Sequence, residues 1–75
     1  MRYTYSREDL HNIIRKIYPN YEEIRDYMVW NLIQDIVVKL WLGQITLAWS
    51  EKDLLRNAAS DLYQYGFFKF NDYSE

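Results

Sequence analysis

The chain has 75 residues, 49% of them hydrophobic and 19% aromatic, with nine basic and eleven acidic residues for a formal net charge of −2. A chain this short makes one domain, residues 1–75, with a thin stability margin, and it has no cysteine and a single histidine, so a disulfide framework and a Cys/His zinc site are both excluded as supports. Its balanced charge offers neither the clustered positive field of a general nucleic-acid binder nor the acidic excess of a DNA mimic.

The opening stretch, MRYTYSRED, lacks the apolar run of a signal peptide. The most apolar region, residues 28–42, is interrupted by Asn31, Gln34, Asp35 and Lys39, and is too short and too polar to span a bilayer. The expectation is a soluble cytoplasmic protein held together by a dense aromatic-rich core or by self-association.

Two glycines and one proline punctuate the chain, at Pro19, Gly43 and Gly66. The first helix is expected over 7–18. Ser6 is a natural N-cap, and Asp9 follows three residues later as a weak capping-box partner. Leu10, Ile13, Ile14 and Ile17 recur at the spacing of one helical face. Glu8 and Asp9 stand at the positive end of the helix dipole, Arg15 and Lys16 at the negative end, and Pro19 closes the run.

A long central helix is expected over 21–42, begun at Asn20, boxed by Glu23 and stopped at Gly43. Val29, Leu32, Ile33, Ile36, Val37, Leu40 and Trp41 make one broad apolar face, with Asn31, Gln34, Asp35 and Lys39 opposite. That arc exceeds half the circumference, so the reading places this helix in the middle with the other two packed on it. Tyr21, Ile24 and Tyr27 point the other way. The options are a bend near Tyr27, a separate turn over 20–26, or a continuous helix with both tyrosines partly exposed; the continuous helix is the preferred expectation.

In QITLAW, Ile45, Leu47 and Trp49 alternate with Gln44, Thr46 and Ala48, which suits an extended segment, although a helical turn fits too. Ser50 then reads as the cap of a third helix over 51–65, with Asp53 at its third position. Leu54, Leu55, Ala58, Leu62 and Tyr65 form its inner face, and Gly66 ends it. The two chain ends alternate as well, Tyr3 and Tyr5 in one, Phe68 and Phe70 around Lys69 in the other. Extended segments at 2–5 and 67–70 could therefore pair as a minimal β-ribbon, with Phe67 facing away from its neighbours. The fold class is all-α, a small three-helix domain running up, down and up, with short extended ends.

No residue constellation spells out chemistry. His11 has no nucleophile–carboxylate arrangement around it. The pairs Glu8–Asp9, Glu22–Glu23 and Glu51/Asp53 read as helix N-terminal charges rather than as an acid–base site. Ser6 and Ser50 read as caps, and two isolated glycines cannot make a phosphate loop or a dinucleotide fingerprint. An enzyme would need Glu22, Asp26 or His11 to converge in a cleft. No enzyme activity, cofactor, metal or small-molecule substrate is expected.

Two features suggest binding. Lys52, Arg56, Ser60 and Gln64 recur every four residues on the third helix, where Lys52, Arg56 and Gln64 could read DNA, although Asp53, Asn57 and Asp61 run beside them. More strongly, eight tyrosines exceed what a three-helix core of this size encloses, since each buried hydroxyl needs a partner. Tyrosine is enriched where a surface is wet alone and dry in a complex. The leading expectation is a non-enzymatic protein–protein interaction module (an inhibitor, adaptor or regulatory subunit) that binds another protein or a second copy of itself through Tyr3, Tyr5, Tyr65, Phe67, Phe68 and Phe70, a patch that Tyr21, Tyr27 and Trp49 could extend; a core role is the competing reading for Phe68, Phe70 and the tryptophans. DNA binding by the third helix is the alternative.

Overall fold

The computed structural model describes residues 5–70 and contains three helices: α1 (Arg7–Ile17), α2 (Asp26–Trp41) and α3 (Trp49–Tyr65). The all-α expectation holds. There is no strand among the described residues, and residues 2–4 of the expected ribbon lie outside them.

Long-range contacts fix the helix directions. Lys16 Nζ meets Glu51 Oε2 at 3.2 Å, and the Tyr5 hydroxyl donates to Asp61 Oδ2 at 2.6 Å, so α1 and α3 run antiparallel. Arg7 Nη1 meets Asp26 Oδ1 at 2.9 Å, and Lys39 Nζ lies 6.0 Å from the Tyr18 ring centroid, so α1 and α2 run the same way. The chain therefore runs up, up and down, a correction to the expected up, down and up. Two parallel neighbours need a connection that travels back along the bundle, and residues 18–25 supply it. Eight residues in extended form reach roughly 26–29 Å, more than the ~17 Å length of an eleven-residue helix.

That return path explains the largest boundary error. The expected continuous helix from residue 21 is not formed; α2 begins at Asp26. A helix through residues 21–25 would carry Ile24 away from the core. Leaving the helix lets Ile24 turn inward, where it is almost wholly buried. Tyr21 stays exposed, with its ring edge-on to Tyr18.

The helix ends follow local chemistry. Ser6 Oγ accepts the Asp9 amide at 3.0 Å, and the Tyr18 amide still bonds Ile14 O at 2.8 Å before Pro19. At the end of α2, Gln44 N donates to Lys39 O and Gly43 N to Leu40 O, a Schellman arrangement that needs the left-handed Gly43 at φ 75°. The start of α3 departs from expectation. Ala48, not Ser50, is the cap residue, and Glu51 rather than Asp53 is the third helical position. The Glu51 carboxylate accepts the Ala48 amide at 2.8 Å while holding Lys16, which moves the helix start two residues forward.

The core gathers Leu10, Ile13 and Ile14 of α1, Val29, Leu32, Ile33 and Ile36 of α2, and Leu54, Leu55 and Ala58 of α3. Tyr5, Ile24, Leu47 and Phe68 close it from the connecting segments. Leu47 and Ile45 follow the alternation expected of residues 44–49; Trp49 breaks it by starting α3 on the outside.

Candidate interaction surface

The aromatic residues named from sequence divide into two groups. Tyr5, 3% exposed, and Phe68, 8% exposed, are core residues and are not available as surface anchors. Phe70 is half-buried, edge-on to Tyr5 at 5.6 Å and 5.1 Å from Phe68, with the Arg7 guanidinium 4.3 Å above its ring. These three rings close one end of the bundle. Burial, with the Asp61 carboxylate accepting its hydrogen bond, holds the Tyr5 hydroxyl neutral well above the usual phenol range; the Lys69 backbone pulls the other way without reversing this. The second group faces out. Phe67 is 59% exposed, as its alternation with Phe68 requires, and lies 6.2 Å from Tyr65. Tyr65, expected on the inner face of α3, is instead exposed, with Lys69 Nζ 4.2 Å from its ring centroid. Tyr3 lies outside the described residues.

The row proposed for DNA reading is on the outside of α3 at Arg56, Ser60 and Gln64. Lys52 is half-buried, and its ammonium sits 5.0 Å from the Trp49 ring centroid. In the neighbouring row Asp61 accepts from Tyr5, and the Asp53 carbonyl accepts from Asn57 Nδ2.

Carboxylates are engaged with cations and caps on separate elements: Asp26 with Arg7, Glu23 with Arg25, Asp35 with Lys39, and Glu51 with Lys16 and the Ala48 amide. The Ala48 amide, followed by Lys16, holds the Glu51 carboxyl below its ordinary range against the opposing effect of desolvation. Among the described residues no three histidine or acidic side chains are placed to hold a metal ion, and no helix is long and apolar enough to cross a membrane. A depression of about 340 Å³ lined by Ile17, Tyr18, Pro19, Asn20 and Tyr21 contains no acid, base or nucleophile pair.

The largest departure from expectation is α2 itself. Val29, Leu32, Ile33 and Ile36 are buried and Leu40 is half-buried, but Val37 and Trp41, expected on the same face, are not. Trp41 is 87% exposed, Tyr27 78%, and Trp30, Val37, Val38 and Leu42 are exposed as well. At ~100° per residue, positions 27, 30, 34, 37, 38 and 41 fall within an arc of about 100°, centred about 130° from the buried face. So α2 carries two apolar stripes, and α1 and α3 cover one of them. Gln34, expected on the polar side, sits in the middle of the outer stripe.

Trp49 is 74% exposed, so all three tryptophans lie outside the core. The signal for this was present in the sequence. Tyr27, Trp30, Gln34, Val37 and Trp41 recur at alternating steps of three and four residues, and that second period is hidden when the apolar positions are merged into one wide face.

Searches of protein-family models, of curated proteins and of solved structures found no match to this chain.

Proposed function

We propose that this chain is a small non-enzymatic protein–protein interaction module, an inhibitor, adaptor or regulatory subunit, and that its contact surface is the outer face of α2. The observation that carries the reading is the exposure of all three tryptophans. A small fold gains most from burying its largest rings, at roughly 150–250 Å² each, yet the core here is filled with leucine, isoleucine, valine, alanine, one tyrosine and one phenylalanine. Monomeric proteins seldom leave a contiguous apolar patch of more than a few hundred Å² in water unless it meets something. Tryptophan and tyrosine are also the residues that dominate binding energy at protein interfaces.

The DNA-reading alternative has weaker support. Of its row, Lys52 is stacked on Trp49, and the net charge remains −2.

The reading is tested by placing a photoreactive residue at Trp41 or Val38, and in parallel at Arg56 or Gln64, and irradiating cells that express the chain. Protein adducts at the first pair and none at the second are expected. No adduct at Trp41 or Val38 would overturn the reading, and nucleic-acid adducts at Arg56 and Gln64 would install the alternative.

A further inference from the structure

The outer face of α2 has a symmetry that narrows the choice of partner. Residues equidistant from Gln34 form matched pairs. Tyr27 and Trp41 are each seven residues away, Trp30 and Val38 four, and Asn31 and Val37 three. When a helix packs antiparallel on its own copy about a two-fold axis, residues at equal distances on opposite sides of the axis face each other. With the axis at Gln34, Trp41 of each copy meets Tyr27 of the other, and Trp30 meets the Val37–Val38 step. Ring then meets ring at Trp41 and Tyr27, and a large side chain meets small ones where Trp30 faces Val37 and Val38. A parallel pair would instead stack Trp30 on Trp30 and Trp41 on Trp41.

The polar content points the same way. Within the arc no side chain is charged, so a partner recognised by charge finds no handle there. Beyond the arc, the nearest acid, Asp26, is paired with Arg7 at 2.9 Å, and Asp35, farther round on the other side, with Lys39 at 3.7 Å. The one non-aromatic polar side chain in the arc is Gln34, whose amide has both donors and an acceptor and is therefore complementary to itself. A central amide of this kind fixes register in paired helices.

The area approaches what a dimer of standard size needs. The exposed parts of Tyr27, Trp30 and Trp41 amount to about two whole aromatic side chains, roughly 300–500 Å² of ring surface. Val37, Val38 and Leu42, each about half exposed or more, extend this toward the ~800 Å² that each partner contributes to a standard interface.

We infer that the occupant of this face is a second copy of the same chain, docked antiparallel along α2 with Gln34 on the two-fold axis. The inference rests on the reading of the outer face of α2 as a contact surface, and it names the partner.

The test is the mass in solution, by sedimentation equilibrium from micromolar to submillimolar concentration. The wild-type chain is expected as a dimer. Gln34→Lys and Gln34→Glu each place like charges against each other at the axis and should weaken association about 30-fold or more, the effect of losing a hot spot, with helicity unchanged. Mixing the two variants should restore a dimer of one copy of each. Orientation is read by cross-linking, which the absence of native cysteine keeps clean. Tyr27→Cys mixed with Trp41→Cys should form a disulfide-linked pair, whereas neither variant alone should.

A wild-type chain that is monomeric throughout, a dimer indifferent to both Gln34 variants, or disulfides formed by Tyr27→Cys alone would each overturn the antiparallel dimer. None of these removes the broader reading, because photo-adducts from Trp41 to a different protein would still support a contact surface there.

Discussion

Ile36 and Val37 are neighbours in sequence, both β-branched and both on α2, yet Ile36 is fully buried and Val37 is half exposed. The same division runs along the whole helix. Its inner stripe is aliphatic and is met by α1 and α3; its outer stripe carries Tyr27, Trp30 and Trp41 among smaller side chains and is left exposed. The difference teaches that hydrophobicity alone does not say what a helix face is for. Branched aliphatics with few rotamers suit a close-packed interior, while wide amphipathic rings suit a surface that alternates between water and a partner.

The largest expected effect comes from exchanging the treatment of the two stripes. Ile36→Ala should cost about 3 kcal/mol of folding stability, because it leaves a cavity at a fully enclosed site. Trp41→Ala, which removes far more apolar surface, should change the stability of the isolated chain by no more than about 0.5 kcal/mol. Urea titrations at low protein concentration measure both. If Trp41→Ala costs as much as Ile36→Ala, the two stripes are not different and the outer one belongs to the core.

The inner stripe was the legible part of the molecule. Spacing alone identified Leu10, Ile13 and Ile14 on α1 and Leu54, Leu55 and Ala58 on α3, and the caps at Ser6, Gly43 and Gly66 are where local chemistry put them. What sequence could not supply was the direction of each helix relative to the others. Because α1 and α2 run the same way, the intervening segment has to travel back along the bundle, and that requirement, invisible in local propensity, removed five residues from the start of the expected helix. The outer stripe was misread for a related reason. The width of the apolar arc was plain, but whether two short helices could cover it depends on their placement, and they cover about half. The terminal rings were misassigned too. Tyr5 and Phe68 were legible as aromatic, but only the closing of both segments over the common core, with Phe70 against each ring and Tyr5 bonded to Asp61, makes them core.

Two tyrosine hydroxyls provide a finer comparison within the covered region. Tyr5 donates to Asp61 and ties the N-terminal segment to α3, whereas the Tyr18 hydroxyl is buried with no partner among the described residues. Tyr5→Phe should therefore cost about 1–2 kcal/mol, the value of a hydrogen bond to a charged acceptor less partial rehydration of Asp61. Tyr18→Phe should cost nothing and could add up to about 1 kcal/mol, because it removes an unsatisfied polar atom. Thermal melts of the two variants side by side give opposite signs if the assignment is right. Alkaline pH supplies a second check on Tyr5. Its folded-state ionisation is shifted upward, so its contribution is whole below the ordinary phenol range near ~10 and is lost as pH climbs beyond it toward the raised value. Tyr5→Phe should flatten that limb.

The smallest expected effect concerns Glu51, which joins the start of α3 to the end of α1 and so braces the two helices that cover the inner stripe. Its carboxyl is held below the ordinary range by the Ala48 amide first and by Lys16 after it. A carboxyl whose folded value is depressed binds its proton more readily in the unfolded chain. Its contribution is therefore present above the unfolded value near ~4.3 and is lost as pH falls through the folded one. Glu51→Ala should lower stability by less than about 1 kcal/mol near neutral pH, as loss of a partly solvated cap and ion pair does. Glu51→Gln, which keeps an acceptor for the Ala48 amide but no charge, should retain part of that and lose the acid-side slope. Neither change touches the outer stripe, so the affinity between copies, measured at a pH where both variants are folded, should match the wild type. A shift in association with Glu51 would mean that the two stripes of α2 are coupled through the bracing of α1 against α3, and that the partner's side of the helix feels how firmly the core side is held.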